Sequence, residues 1–411
     1  MNKLWIIIVA VLLILAFLQC SNSSVEPGRN VARELTIAEK SLSGSGNLFG
    51  FKFFKEVARQ EKDKNLFISP LSVSMALGMA YNGASGNTQE AIQKTLELSG
   101  LSLQEVNESY KSLIELLRGF DDKVVFQIGN SIWYREGLNV EKGFIDLSQT
   151  YFNASVTPLD FNDPSAAPTI NGWVDKSTNG KIKEIVDSPI DPSLVMFLIN
   201  AIYFKGTWTY QFDKKATSDD FFTISDGSKK PCKMMFQKGD FQYSENPQFQ
   251  SVDLPYGNGK FSMIVILPQK QIPVDSLIMQ FDRENWEKWT AGFSPQKGEL
   301  SFPRFTMSYD AELKSVLQAL GMGIAFDPDQ ADFTRIRKEG ELFISKVKHK
   351  TFVDVNEEGT EAAAVTSVEI GITSIGPSGF VMRVDRPFVF AIYERQSQSI
   401  LFMGKIAQPT M

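Results

Sequence analysis

The stretch VKHKTFVDVNEEGTEAAAVT, from Val347 to Thr366, joins two segments of different character. In the first, uncharged residues alternate with mostly charged ones, which predicts a β-strand from Val347 to Val355 with one face in the core. That face carries His349, the only histidine of the 411 residues. We interpret His349 as a core histidine held by hydrogen bonds rather than as a catalytic base.

The second segment has three interpretations. A helix capped by Thr360 is one, because alanine and glutamate favour helices. A strand that can insert into a sheet is another, because alternation puts small or apolar side chains on one face. The acids Glu361 and Glu369 then lie on the other face. The first face consists of Thr360, Ala362, Ala364, Thr366, Val368 and Ile370. The third interpretation is a loop, and periodicity alone does not choose among them. Residues 371–379 are rich in glycine, serine and isoleucine, which is typical of an exposed, cleavable loop.

The flanking sequence predicts an α+β fold in one domain, because helical patterns crowd the first half and strand patterns follow without regular alternation. Apolar spacing predicts helices from about Leu48 to Ala58, from Leu71 to Tyr81 after Ser69-Pro70, and from Leu101 to Phe120. Predicted strands are Val124–Tyr134, Leu194–Phe204, Phe261–Leu267 and a terminal hairpin of Phe388–Tyr393 with Ile400–Ile406.

Composition excludes several classes of site. There are 42 Lys and Arg against 48 Asp and Glu, a net charge of −6, which disfavours nucleic acid and anionic membrane surfaces as partners. One histidine and two cysteines, Cys20 and Cys232, exclude an H-E-x-x-H zinc site, a multi-cysteine metal cluster and a disulfide framework. A Ser-His-Asp site would have to use His349. We expect no catalytic group, no metal and no cofactor.

The N-terminus predicts export. Lys3 precedes an uncharged, mostly aliphatic run from Leu4 to Leu18, which spans roughly 22 Å as a helix and is shorter than a bilayer core. We interpret residues 1–20 as an export signal and residues 21–46 as a flexible, Ser/Gly-rich tether. A short membrane anchor is the alternative. Cys20 lies where bacterial lipoprotein leaders place their lipidated cysteine, so the expected location is outside the cell, either secreted or anchored by a lipid at the outer surface.

Four blocks together resemble the serpins, the serine protease inhibitor superfamily. They are NLFISPLS (Asn65–Ser72), NAIYFKGTW (Asn200–Trp208), EEGTEAAA (Glu357–Ala364) and VDRPFVF (Val384–Phe390). They stand in the family's order over about residues 47–409. The resemblance implies an exported, bacterial-type member with one serpin domain at residues 47–411. It also implies a helix-rich N-terminal half, a large, mostly antiparallel central sheet with smaller sheets, and an exposed reactive loop at about residues 357–380.

The resemblance also implies a mechanism without catalytic groups of its own. A target serine protease attacks a bait bond in the loop, and the cleaved loop inserts into the central sheet while the protease is still covalently attached. Family spacing puts this bond at Thr373-Ser374, with Ile372-Thr373 and Ser374-Ile375 as alternatives. A small β-branched residue there suits elastase-like or subtilisin-like proteases. We expect a monomer without a heparin-type cofactor site.

The resemblance assigns three groups of residues. The hinge consists of Glu357, Glu358, Gly359, Thr360, Glu361, Ala362, Ala363 and Ala364. The shutter cluster, which would hold the central strands together and let them part, consists of Ser69, Ser72, Asn200 and His349. The breach group, near the start of the loop, consists of Trp208, Arg304 and Glu357. Three alternatives stay open: a non-inhibitory chaperone or carrier, an inhibitor of cysteine proteases, and an exported solute-binding lipoprotein with two lobes.

Overall fold

A computed structural model describes residues 33–118, 120–360 and 379–410. The α-helices of the described residues are α1 (Ile37–Gln60), α2 (Pro70–Gly83), α3 (Gly86–Thr95), α4 (Leu103–Leu117), α5 (Lys142–Phe152), α6 (Ala166–Ser177), α7 (Val274–Ile278), α8 (Arg283–Ala291) and α9 (Lys314–Leu317). The described residues from Glu34 onward form one compact unit. The predicted single α+β domain is therefore confirmed, although its first helix begins earlier than expected.

The strands of the described residues form two sheets. They are β1 (Leu66–Ile68), β2 (Val124–Arg135), β3 (Ala154–Leu159), β4 (Met196–Thr207), β5 (Ser218–Thr223), β6 (Lys229–Glu245), β7 (Phe249–Tyr256), β8 (Phe261–Pro268), β9 (Ser294–Pro303), β10 (Phe305–Glu312), β11 (Lys348–Asn356), β12 (Gly359–Thr360), β13 (Phe380–Arg383), β14 (Phe388–Glu394) and β15 (Ile400–Ile406). One sheet has the order β1-β15-β14-β8-β7-β6-β9-β13, with β5 beside β6; the other has the order β10-β11-β12-β4-β2-β3. Pairing is antiparallel except between β2 and β3 and between β9 and β13.

Helix α1 corrects the predicted tether. Residues 37–46 are helical, so the flexible tether proposed to end at residue 46 is wrong for its last ten residues. The Thr36 hydroxyl accepts the Glu39 amide proton and the Glu39 carboxylate accepts that of Thr36, a capping box that starts the helix. Leu42 and Phe49 are buried, and this apolar face outweighs the helix-weakening glycines between them. Residues 21–32 lie outside the described residues.

Helices and strands that the sequence predicts from short-range patterns are present elsewhere in the fold. Ser69 caps α2, because its hydroxyl accepts the amide proton of Ser72 and Pro70 stands at the first helical position. In β11 buried residues alternate with partly exposed ones, and His349 lies on the buried face, as the alternation predicted. The terminal hairpin is β14 with β15.

Strand β4 has helices on both of its faces. Asn200 faces α2, where its amide lies near the Met75 sulfur. Ile199 faces the other way, into a separate apolar cluster formed with α6 and the chain that follows it. None of the helices in the described ranges is long and apolar enough to cross a membrane.

Candidate functional site

The hinge lies between two strands of the six-stranded sheet. Gly359 and Thr360 form β12, which pairs antiparallel with β11 through Val355↔Thr360 and Asn356↔Gly359. On its other side β12 pairs antiparallel with β4 through Gly359↔Thr207 and Thr360↔Gly206. Within the described residues β4 and β11 share no ladder with each other. Of the three interpretations of this segment, the structure therefore has the strand at Gly359 and Thr360.

The backbones of β12 and β4 approach so closely that Gly359 has no room for a side chain. A Cβ on Gly359 would lie 2.0 Å from the Gly206 carbonyl oxygen, so a larger residue would push the hinge away from β4. Thr360 is 2% exposed, and its hydroxyl lies 2.6 Å from the hydroxyl of Tyr256 on β7. Burial raises the pKa of Tyr256 far above its usual range, so this phenol keeps its proton. The two hydroxyls thus join the hinge to the neighbouring sheet.

We expect Tyr256→Phe and Thr360→Val each to lower the free energy of unfolding by about 1 kcal/mol, because each leaves the other hydroxyl buried without this partner. The double variant should cost little more than either single one. Urea unfolding of the four proteins measures the coupling, and Tyr210→Phe, at a 62% exposed tyrosine, is the matched control. Additive losses in the double variant would show that the two hydroxyls do not interact.

The breach group is brought together around the turn before β12. The Arg304 guanidinium lies 3.7 Å from the carboxylate of Glu357, whose side chain is 5% exposed. The Trp208 indole donates a hydrogen bond to the Asn356 carbonyl at 2.9 Å, and the Trp208 amide donates to the Glu358 carbonyl at 2.9 Å. The Trp208 ring stacks on Tyr256 with centroids 4.4 Å apart. Trp208 is therefore bound to the hinge backbone itself.

Three contacts at the hinge were not expected from the sequence. The Thr217 hydroxyl donates to Glu357 at 2.8 Å, Lys214 forms an ion pair with Glu358, and Tyr256 contacts Thr360. Nothing local in the sequence identifies these partners, because each is far from the hinge along the chain. The first two contacts hold the carboxylates of Glu357 and Glu358, and the third holds the hydroxyl of Thr360, where the hinge enters between β4 and β11.

The shutter cluster also comes together. The Ser69 amide donates to His349 Nε2 at 3.0 Å, the Ser72 amide donates to the Ser69 hydroxyl at 3.2 Å, and the Ser72 hydroxyl lies 3.5 Å from the Asn200 carbonyl. The Ser69 hydroxyl donates its proton to the Leu401 carbonyl at 2.7 Å rather than to His349. Ser69 and His349 are therefore not arranged as a nucleophile and its base.

Burial lowers the pKa of His349 to about 4, and the nearby Asp310 carboxylate opposes this shift only in part. The imidazole is therefore neutral at pH 7, which leaves Nε2 free to accept from Ser69. The side chain is 4% exposed and meets the edge of the Phe53 ring. Protonation would replace this acceptor with a donor and place a charge in the core.

The free energy of unfolding should consequently decrease as the pH is lowered. Between pH 6.5 and about 4 the unfolded chain binds a proton at His349 that the folded chain does not, so the loss should reach about 3 kcal/mol and then level off. We expect His349→Gln, whose side-chain oxygen can still accept a hydrogen bond, to lack this component. Urea unfolding of both proteins at several pH values between 7 and 4 measures the difference. Equal pH dependence in the two would contradict the assignment to His349.

A cleft of about 490 Å³ lies between the N-terminal halves of β4 and β11. Leu198 and Asn200 line it from β4, His349 and Lys350 from β11, and Ala76 from α2. Three members of the shutter cluster, Ser72, Asn200 and His349, therefore line this cleft. No three His, Cys, Asp or Glu side chains in the described part of the chain are close enough to hold a metal ion.

Several predicted site residues lie outside the described residues. They are Cys20, the hinge residues Glu361, Ala362, Ala363 and Ala364, and the bait residues Thr373 and Ser374. The first described residues after the loop are anchored: the Phe380 ring stacks on Tyr243 with centroids 3.7 Å apart, and β13 pairs with β9.

Residues 45–409 match the family model described as serpin (serine protease inhibitor). Human neuroserpin is 36% identical over 359 residues, which are 85% of this chain and 87% of neuroserpin. Among solved structures, the thermophilic serpin tengpin in its native state has a TM-score of 0.83 at 31% identity, covering 94% of this chain and 99% of tengpin. Human thyroxine-binding globulin, solved with thyroxine bound, has a TM-score of 0.82 at 29% identity, covering 91% of this chain and 100% of the globulin.

Proposed function

Since this chain belongs to the serpin family, we propose that it inhibits serine proteases by trapping them as suicide substrates. The protease's serine oxygen attacks the Thr373 carbonyl, the Thr373–Ser374 peptide bond breaks, and the amine of Ser374 leaves with the proton. The chain up to Thr373 is then an ester on the protease. Insertion of that chain into the six-stranded sheet moves and distorts the protease before water can hydrolyse the ester. Serpins as a family are protease inhibitors and not enzymes in general, so the catalytic group in this scheme is the protease's own.

The position of β12 carries this proposal. A two-residue strand already lies between β4 and β11, antiparallel to both, at the end of the sheet where the loop begins. Beyond β12, toward the N-terminal ends of β4 and β11, these two strands share no ladder within the described residues, and the cleft lies between them. A strand that continued from Thr360 would supply backbone hydrogen bonds to two strands at once.

The two registers agree on where that strand would lead. Pairing of Thr360 with Val355 puts residue 366 opposite His349, and pairing of Thr360 with Gly206 puts residue 366 opposite Asn200. Thr366 would then reach the shutter cluster from between both strands. The Asn200 side-chain oxygen is buried and has no hydrogen-bond partner among the described residues, so the Thr366 hydroxyl could donate to it.

The composition of the loop fits an inserted strand. Residues of the same parity as Thr360 would face the core, and these are small or apolar from Ala362 to Ile370. The acids Glu361 and Glu369 would face the other side of the sheet. A charge or a bulky ring on the inner face would oppose insertion, and the sequence has neither there.

The residues before the bond limit the target. Ile370 to Thr373 contain no arginine or lysine, so a protease whose pocket requires a cation would leave its buried carboxylate unpaired. We propose elastase-like or subtilisin-like serine proteases as targets, and a monomeric inhibitor that forms a covalent complex with one protease. A cysteine protease is the alternative target class, since its thiolate can form the equivalent thioester.

Mixing the purified protein with elastase-like, subtilisin-like and papain-like proteases tests the proposal. We expect a covalent complex that survives SDS, together with a released C-terminal peptide that begins at Ser374 by mass spectrometry. Protease whose nucleophile has been blocked is the control and should give neither product. Complete cleavage of the loop without any complex would contradict inhibition.

That last result would favour a non-inhibitory role. Thyroxine-binding globulin shares this fold and was solved with a bound small molecule, so a carrier is the second candidate for this chain. A chaperone is the other non-inhibitory alternative. Both predict that the loop is a plain substrate.

We also propose that residues 1–20 direct export, because a basic tip and a short apolar run precede a polar segment. Cys20 is a candidate lipidation site, which mass analysis of the N-terminus from membranes would test. The bacterial type suggested by this leader has no support among the relatives, since human neuroserpin is one of them.

A further inference from the structure

The chain between α6 and β4 forms a flap, residues 179–195, over the cleft. Ile185, Val186 and Ile190 of the flap are buried in a small apolar cluster that also contains α6 residues and Ile199 of β4. The Asn171 side chain on α6 accepts the amide protons of Ile185 and Val186, both at 2.9 Å. The flap and α6 therefore pack as one unit on β4.

The end of the flap is tied to β2. The Arg135 guanidinium donates to the carbonyls of Pro192 and Leu194 at 3.1 Å each. The Arg135 amide donates to the Val195 carbonyl at 2.8 Å. On this side the flap is also continuous with β4, so it cannot be released there without unfolding.

The flap is attached to β11 through charged side chains. Lys348 on β11 donates to both oxygens of Asp187 at 2.7 and 2.8 Å, and Lys346 lies 3.7 Å from the same carboxylate. Lys181 lies over the Phe352 ring, 4.9 Å from its centroid. Asp187 is 69% exposed by its side chain. These contacts with β11 and with Lys346 just before it are electrostatic and near solvent, where such pairs are weak and screened by salt.

The flap covers one side of the cleft. Ile185, Val186 and Pro189 line it on the face of the sheet opposite to α2, whose Ser72 and Ala76 line the other face. A strand inserted between β4 and β11 would therefore lie beneath the flap. A loop that carries a covalently bound protease has no free end to thread under a bridge, so the bridge has to open.

We propose that the flap and α6 form a clasp whose release from β11, at the Asp187–Lys348 ion pair, sets the rate at which the loop inserts. This inference rests on the proposed function. It identifies Asp187 as a positioning residue outside the loop and outside the shutter cluster. The hydrogen bond from Lys348 also holds the pKa of Asp187 below its usual range, so the pair is charged over the whole physiological range.

The test compares Asp187→Asn, Lys348→Gln and the double variant with the wild-type protein. The readout is the limiting rate of covalent complex formation at saturating protease, followed by rapid quench. We expect each single variant to insert about two- to fivefold faster, and the double variant to be no faster than either. Raising NaCl from about 0.05 M to about 0.5 M should accelerate the wild-type protein but not Asp187→Asn.

Asp191→Asn is the matched control. Asp191 lies on the same flap and is exposed, and its carboxylate accepts from Ser193 of the flap itself. We expect its rate and salt dependence to equal those of the wild-type protein. An Asp187→Asn protein with the wild-type rate and salt dependence would overturn the clasp.

The two proposals fail differently. If the wild-type protein forms no complex with any protease, the proposed function fails. The clasp is then tested by nicking the loop and following the tryptophan fluorescence change as the freed segment inserts. The same acceleration in Asp187→Asn would support the clasp. Either the wild-type rate in that variant or no fluorescence change at all would overturn it.

Discussion

Thr360→Arg should abolish the covalent complex and turn the protein into a substrate that its target protease cleaves completely. Thr360 is 2% exposed, with its hydroxyl 2.6 Å from that of Tyr256 and its backbone between β4 and β11. An arginine there would bury a charge with no partner, which costs several kcal/mol. The hinge would leave its position, and the rest of the loop could not follow it into the sheet.

Glu361→Arg is the control for this prediction. It places the same side chain on the next residue, whose parity directs it to the opposite face of an inserted strand. We expect this variant to keep most of the complex. The measurement is the number of inhibitor molecules consumed per protease molecule trapped, read from SDS gels over a range of mixing ratios. A Thr360→Arg protein that traps protease as well as the wild-type protein would show that the hinge need not insert.

Sequence and structure agree best where the signal is local. Alternation over nine residues is enough to define β11 and to place His349 on its buried face. Ser69-Pro70 is enough to start α2. Each pattern involves neighbours within one turn or one pleat, so the sequence contains all that is needed.

The predicted tether is wrong over residues 37–46 because composition alone does not account for tertiary packing. Ser41 to Gly46 are rich in serine and glycine, which indicates flexibility in an isolated chain. In the protein, Leu42 and Ser45 on this stretch are buried, and the Ser45 hydroxyl donates to the Glu97 carbonyl at 2.6 Å. Such tertiary contacts outweigh a weak local preference.

The contacts that define the candidate site are long-range. Tyr256 and Thr360 are 104 residues apart, Lys214 and Glu358 are 144 apart, and Asp187 and Lys348 are 161 apart. The alternation of residue types in the sequence indicates that one face of residues 360–370 is compact. It does not indicate that this segment would pair with β4 and β11. The resemblance to serpins supplied the hinge, shutter and breach positions, whereas the flap and its ion pair emerged only from the fold.

The second large effect concerns specificity. Thr373→Arg should make the protein an inhibitor of trypsin-like proteases, because an arginine before the bait bond pairs with the carboxylate at the bottom of their pocket. We expect the rate constant for complex formation with trypsin to rise by about a thousandfold or more, since such a pocket strongly rejects substrates that leave its carboxylate unpaired. Trapping of elastase-like proteases should fall in the same variant, because their pocket cannot take the longer side chain. Rates of loss of protease activity measure both changes.

Gly371→Arg separates recognition from trapping. It also offers trypsin an arginine, but the strand from Thr360 to the cleaved bond is then eleven steps instead of thirteen, roughly 36 Å instead of 43 Å. The protease would be carried a shorter distance, so we expect more cleavage and less complex than with Thr373→Arg. Mass spectrometry of the released peptide identifies the cleaved bond in each variant. If Gly371→Arg trapped trypsin better than Thr373→Arg, the bait bond would have to lie nearer the hinge than Thr373-Ser374.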